Sequence, residues 1–286
     1  MEYYVFSDES YISAERYRSI GAFSFPGNFI GEINEELVSI LSDSDVAEFK
    51  WKRLKDAQYR FCALKLSDFV FEHLHQKDIR IDVLIWDTQD SRHKIQGRDD
   101  TANFERMFFH LMKNIMTRRE KDSEWYVYPD ERLDIDWTTI QECLVSTGKW
   151  KEVYESRLFG DSFSDRFFNI RDFKPVNSIK TPCCQVADFF AGMGVFSKNK
   201  YTKYKKWCEY QDPQGCLFEQ PEEVICTKSE KERFKVLEEF VYKCKTTRQG
   251  ISIKSKECLN TFLPDYPINF WSYMPQHPED KAPTRN

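Results

Sequence analysis

Apolar residues in this chain fall into short blocks, and several of those blocks run straight into carboxylates. The first is YYVFSDES, residues 3–10, where an apolar and aromatic run over 3–7 meets Asp8 and Glu9. The density of aromatic and branched residues predicts a buried strand there. RYRSIGAFSF, residues 16–25, predicts a second strand that turns off at Pro26-Gly27. In residues 29–41 the positions Ile33, Leu37, Ile40 and Leu41 recur at helical spacing. A second helix is predicted over 56–75, with Tyr59, Cys62, Leu66, Phe69 and Leu74 as its stripe. IRIDVLIWD, residues 79–87, predicts a strand ending on Asp87. Asp99, Asp100 or Thr101 caps a helix that runs to about residue 119. EWYVYPDE, residues 124–131, is a strand stopped by Pro129 and followed by Asp130 and Glu131. A helix over 136–146, a strand within FFNIRDF (167–173) and a Pro-started helix over 182–196 complete the series.

Strands alternating with helices after an opening hairpin predict an α/β fold, a mixed sheet flanked by helices. The composition changes after Phe196, where SKNKYTKYKKW is basic and aromatic and Pro-rich loops follow. The expected division is therefore a domain over 1–197 and a helical and looped appendage over 198–286, with one helix near 229–245 and a frayed tail after about residue 275.

Of the 286 residues, 41% are hydrophobic, enough for a sizeable core, and the net charge of −5 excludes a uniformly basic nucleic-acid surface. No run reaches the roughly eighteen apolar residues of a membrane span, so no membrane association is expected. With a strand predicted at the start of the sequence, no signal peptide is expected. Nine cysteines, an odd number without a Cys-x-x-Cys pair, predict reduced thiols and a cytoplasmic location. The five histidines form no H-E-x-x-H motif, and no glycine-rich phosphate loop occurs.

The carboxylates carry the candidate chemistry. Asp8 shares strand parity with Tyr4 and Phe6, so it points to a face that a helix should cover. A buried carboxylate there must be paired, hydrogen-bonded or bound to a cation. Asp188 sits among Val186, Ala187, Phe189, Phe190 and Ala191 in a helix that is apolar nearly all round. Gln185, three residues earlier, shares its face. Ala187, Ala191 and Gly192 are small enough to let that helix approach a sheet closely. Glu48 and Lys50 lie in EFKW between Phe49 and Trp51, so this polar pair is packed against something. Acids at strand ends, joined by one on a helix, suit Mg²⁺ or Mn²⁺, which take hard oxygen ligands. Two such ions can hold the attacking and leaving oxygens of a phosphoryl displacement. The structural alternatives are that Asp8 is a strand-end residue already in solvent, that Asp188 is paired with an Arg or Lys, and that Glu48 is half of a solvated pair with its neighbouring lysine.

With YVFSDES, EFKW, YVYPDE and QVADFFAG in this order, the chain resembles the family catalogued as domain of unknown function 3800, over about residues 1–197. The resemblance implies a ribonuclease H-like fold and a two-metal nuclease. It implies Asp8, Glu48, Asp130 and Asp188 as ligands of two Mg²⁺ or Mn²⁺ ions, and Lys50 as a companion that meets phosphate or the attacking water. Glu9, Asp87, Glu131 and Gln185 are alternates. A ribonuclease H-like sheet opens with three strands, and the third is expected within residues 10–25, with a turn near 13–15.

The basic run contributes Lys198, Lys200, Lys203, Lys205 and Lys206, interleaved with Tyr201, Tyr204 and Trp207. Lysines that meet phosphates and aromatics that stack on unpaired bases would make it a nucleic-acid-binding surface. The leading expectation is a metal-dependent nuclease acting on DNA or RNA, in anti-phage defence or as a toxin, with a protein partner in a defence complex. The alternatives are a non-catalytic module that binds nucleic acid or protein on the same scaffold, and a metal-dependent nucleotide phosphohydrolase.

Overall fold

The computed structural model describes residues 1–10, 15–90, 99–120, 122–146, 168–211 and 223–274. A hairpin opens the chain: β1 (Glu2–Ser10) pairs antiparallel with β2 (Tyr17–Pro26) from Tyr3 opposite Pro26 to Ser10 opposite Ser19. Helices α1 (Ile30–Asp43) and α2 (Ala57–His73) follow, then β3 (Arg80–Asp87), antiparallel to β2. After α3 (Asp100–Met116), β4 (Glu124–Pro129) returns parallel to β1. Helix α4 covers residues 137–146, and β5 (Asn169–Phe173) lies parallel to β4. Then come α5 (Pro182–Asn199), α6 (Tyr201–Gln211), α7 (Lys228–Thr246), the short pair β6 (Ile251–Ser252) and β7 (Asn260–Thr261), and β8 (Ile268–Ser272).

The main sheet has the order β5-β4-β1-β2-β3-β8, with β1, β2 and β3 as an antiparallel meander and β4, β5 and β8 joined in parallel. This is the mixed α/β sheet flanked by helices that the sequence predicts. The opening three-stranded meander is present, but its third strand is β3 rather than a segment of residues 10–25. Residues 15–25 are used up by β2 and its approach, and residues 11–14 of the expected turn lie outside the described residues. Helices α1 and α2 are inserted between the second and third strands.

Strand parity divides the core in two. Phe6, Phe23 and Phe25 face α1, α2, α5 and α7. Tyr3, Val5, Ala22, Leu84, Trp125 and Val127 face α3 and α4. Helix α5 crosses the first face at close range. A Cβ at Gly21 of β2 would come within 2.4 Å of the Ala187 carbonyl oxygen, and the Ser19 hydroxyl donates to the Ala191 carbonyl at 2.7 Å. The small residues of α5 do what their size predicts.

The segment from residue 198 onward is helical and looped, yet it is built into the body formed by the preceding residues. Strand β8 extends the sheet beside β3, from Ile81 opposite Ile268 to Ile85 opposite Ser272. Phe234 and Phe240 of α7 and Phe270 of β8 are buried in the same cluster as Phe23 and Phe190. The frayed tail expected after about residue 275 lies outside the described residues.

Candidate functional site

The site is assembled on the segment between α1 and α2. Phe49 and Trp51 are buried against Phe189, with ring centroids 5.7 and 6.0 Å away, and the Trp51 ring also meets Phe196 at 5.6 Å. Gly192 makes room for Trp51, since a Cβ there would fall 2.1 Å from the indole. Backbone hydrogen bonds complete the attachment: Phe49 N–H donates to Gln185 Oε1 at 2.8 Å, and Trp51 N–H donates to Asp188 Oδ2 at 2.5 Å. Lys50 between them is extended, so its side chain turns away from the two rings, toward the sheet's acids. From the other side, α7 holds the same segment: the Arg233 guanidinium donates to the Trp51 and Lys52 carbonyls, and the Ser229 hydroxyl donates to the Leu54 carbonyl.

Lys50 Nζ donates to Asp8 Oδ2 at 2.6 Å and to Asp130 Oδ2 at 3.1 Å. Asp8 lies within β1, which continues to Ser10 because β2 pairs with it that far; it is not a residue beyond the strand end. Asp130 follows β4 directly, and its N–H donates to the Ser7 carbonyl at 2.8 Å. The two acids therefore project from the carboxyl ends of two adjacent parallel strands. In open α/β sheets, ligands bind in the crevice outside such strand ends.

Ser178 ties the remaining acid into the set. Its N–H donates to Asp130 Oδ1 at 3.1 Å, its hydroxyl to Glu48 Oε1 at 3.3 Å, and its carbonyl accepts from Gln185 Nε2 at 2.8 Å. Arg53 pairs with the other Glu48 oxygen at 2.8 Å. Asp8, Glu48 and Asp188 are all buried, and Lys50 is nearly so.

Burial pushes the Asp8 carboxyl well above its ordinary value, the Asp188 charge adds to that, and Lys50 opposes it. Burial also pushes Asp188 up to about 6, against the Lys50 charge and the Trp51 N–H. Burial works against the Lys50 charge too, but Asp8, Asp188 and Asp130 outweigh it and hold the ammonium above its ordinary value. The Lys50 ammonium thus binds Asp8 and Asp130 directly and acts with the Lys52 charge on Asp188, and three carboxylates around one bonded ammonium leave an excess of negative charge when all are ionised.

All five principal residues, Asp8, Glu48, Lys50, Asp130 and Asp188, come together, and Gln185 joins them as a backbone clamp. The other alternates, Glu9, Asp87 and Glu131, do not join the acids. Glu9 points from the opposite face of β1 and pairs with Arg132 at 3.3 Å. Glu131 is exposed and accepts from Asn177 Nδ2 at 2.6 Å. Asp87 stands opposite Tyr17 on β2, two strands or about 10 Å across the sheet, and is held by the Arg16 guanidinium. Ser178, Arg53 and Arg233 were not expected from the sequence. They lie in loops or on a distant helix and carry no periodic signal.

The basic run spans the end of α5 and most of α6, and the structure corrects its expected use. Tyr204 and Trp207 are buried, with rings 5.5 and 5.6 Å from Phe234, so neither is offered to a base. Lys203 is paired with Glu230 at 2.6 Å, Lys200 reaches Glu15 at 3.5 Å, and Lys198 donates to the Lys256 carbonyl at 2.9 Å. Lys205, beside Glu209 at 3.8 Å, and Lys206 face solvent.

Oxygen donors of the carboxylate type suit Mg²⁺ or Mn²⁺, and Asp8, Asp130, Asp188 and Glu48 supply them. Their oxygens are not gathered around one empty point, since the Lys50 ammonium stands between Asp8 and Asp130. Among the described residues, the His, Cys, Asp or Glu side chains whose ligand atoms all lie within 4.8 Å of one another are Glu36, Glu72 and His73. Lys77 already sits 3.3 Å from Glu36 and 3.5 Å from His73, so that group has an ammonium of its own in contact.

Two archaeal proteins match nearly the whole chain. They are the uncharacterized proteins ORF2′ and ORF2 of Methanothermobacter thermautotrophicus, 36% and 35% identical over 291 residues, covering 99% of this chain and 98% of each relative. The chain belongs to this ORF2 family. No family model and no solved structure matches it. The match of ORF2 and ORF2′ extends through residues 198–286, the part that supplies β8 and the Arg233 clamp.

Proposed function

We propose that the chain is a divalent-metal-dependent nuclease that hydrolyses phosphodiester bonds in nucleic acid. The observation that carries this reading is the meeting of Asp8 and Asp130 on the half-buried Lys50 at the carboxyl ends of β1 and β4, with Asp188 near enough for its charge to act on the same ammonium. So many carboxylates with a single ammonium are costly unless a further cation joins them. Asp8, Asp130, Asp188 and Glu48 would hold Mg²⁺ or Mn²⁺. When bound, a pair of such ions supplies Lewis acidity at the phosphoryl oxygens and an activated water. The protein's own groups set the stage: Ser178 orients Asp130 and Glu48, the Trp51 N–H orients Asp188, and the Lys50 ammonium provides positive charge for the phosphate. The exposed Lys205 and Lys206 of α6 add sites for the backbone of a longer substrate.

The test is cleavage of single- and double-stranded DNA and RNA with Mn²⁺, comparing the wild type with Asp8→Asn and Asp130→Asn. Metal-dependent cleavage that falls at least about a hundredfold in both variants supports the reading. Equal cleavage by all three proteins overturns it. A second reading, a non-catalytic binding module, is favoured by the fact that each acid already has a partner in Lys50, Arg53 or a backbone N–H. Nucleic-acid binding without cleavage under any divalent ion would select it.

A further inference from the structure

Lys50 is fixed at its backbone and carries its ammonium on a flexible stem. The peptide groups on either side are locked, Phe49 N–H on Gln185 and Trp51 N–H on Asp188, and both neighbouring rings are buried. Rotation about the side-chain bonds is the motion left to it. A lysine stem is flexible and ends in a compact point charge. That charge lies 2.6 Å from Asp8 Oδ2 and 3.1 Å from Asp130 Oδ2. Asp130 is the more exposed of the two acids, with a side chain 18% accessible against 5% for Asp8. The ammonium therefore sits in the position a shared cation would take, with the solvent-facing acid on one side and the buried acid on the other.

We propose that Lys50 is the resident counter-cation of this cluster and competes with the divalent ion for Asp8 and Asp130, so that the ion enters as the ammonium withdraws. The inference rests on the metal-dependent reading above. An ammonium and a divalent ion cannot share the same carboxylate oxygens at bonding distance, because like charges that close repel strongly. A lysine that merely helped to hold the metal would strengthen binding. A lysine that competes with it weakens binding and leaves the folded protein a site whose negative charge is partly offset before metal arrives. The displaced ammonium stays tethered by the locked backbone, beside the cluster where a phosphate would dock.

The two roles differ in the sign of one measurement. Lys50→Met keeps the stem and removes the charge. Mn²⁺ binding to the full-length protein is measured by titration calorimetry for wild type and variant, with circular dichroism as the check on folding. Competition predicts that Lys50→Met binds Mn²⁺ at least about tenfold tighter, the equivalent of one displaced interaction of ordinary strength. Equal or weaker binding by the variant overturns the proposal while leaving the metal-dependent reading in place. If neither protein binds Mn²⁺, the metal-dependent reading fails first and takes this inference with it. Should Lys50→Met unfold in EDTA, recovery of its native spectrum on adding Mn²⁺ supports the proposal, and failure to recover counts against it.

Discussion

Asp188→Asn separates a functional carboxylate from a structural one, because the two roles predict opposite changes in stability. The Asp188 carboxyl is buried, accepts the Trp51 N–H at 2.5 Å and is pushed up from 3.8 to about 6, chiefly by burial. An acid whose value is raised in the folded state stabilises the fold most below its unfolded value. That stability fades as the pH climbs through the folded value. Here the fading spans about pH 4 to 6. At about 1.4 kcal/mol per pH unit, the ionised form costs the fold up to ~3 kcal/mol above pH 6. Asparagine removes that cost while its carbonyl oxygen still accepts from Trp51. In EDTA at pH 8, Asp188→Asn should therefore equal or exceed the wild type, by up to ~3 kcal/mol, or a few degrees in Tm per kcal/mol for a chain of this size. At pH 4.5 the difference should shrink to about 1 kcal/mol, because the fading has only begun there. The assay is a urea titration at both pH values, repeated with saturating Mn²⁺, where the wild type should gain more than the variant. A loss of about 3–5 kcal/mol in the apo variant at pH 8 would refute the reasoning. It would show Asp188 to be the necessary half of a buried pair with Lys50.

Two further outcomes follow from the packing. Gly192→Ala drives a methyl into Trp51 and should cost about 1–3 kcal/mol in a urea titration, with cleavage falling as the 48–51 segment is displaced; an unchanged midpoint would mean that this contact is not tight. Lys205→Ala with Lys206→Ala should reduce the log–log salt slope of nucleic-acid binding by about 0.7–0.9 per lost phosphate contact, measured with Ca²⁺ in place of Mg²⁺, whereas Lys203→Ala should leave the slope unchanged because Lys203 is spent on Glu230.

Much of the site was legible because strand parity and helix faces are local properties. Asp8 falls on the face of Tyr4 and Phe6 by counting alone, and the small residues of α5 announce its close approach to β2. The extent of β1 was not legible. Whether Asp8 and Glu9 continue the strand depends on pairing with β2, and nothing in DES itself reports that partner. Ser178 and Arg233 were invisible for the same reason, since their bonds reach Glu48 and Trp51 across 130 and 182 residues of chain. Strand β8 is five residues long, and its neighbour β3 lies far earlier in the chain, so only the assembled sheet identifies it.

The basic run shows the opposite error, a signal present but taken at the wrong period. Tyr201, Tyr204, Trp207 and Cys208 recur at three- and four-residue intervals, the spacing of one helix face. Counted that way, the aromatics belong inward, against Phe234, and Lys205 and Lys206 belong outward. Interleaving of lysine and aromatic residues reads as a binding surface only when the segment is extended. In a helix the same letters separate into a core stripe and a solvated stripe. The EFKW segment reverses the logic: it is extended at Lys50, so alternation does place Phe49 and Trp51 inward and sends the charge of Lys50 the other way. The chemistry of the site thus depends on a three-residue stretch of period two, held between helices of period 3.6. Its register is locked by the two N–H bonds to Gln185 and Asp188, and a one-residue slip would exchange the lysine for an aromatic ring at the acids.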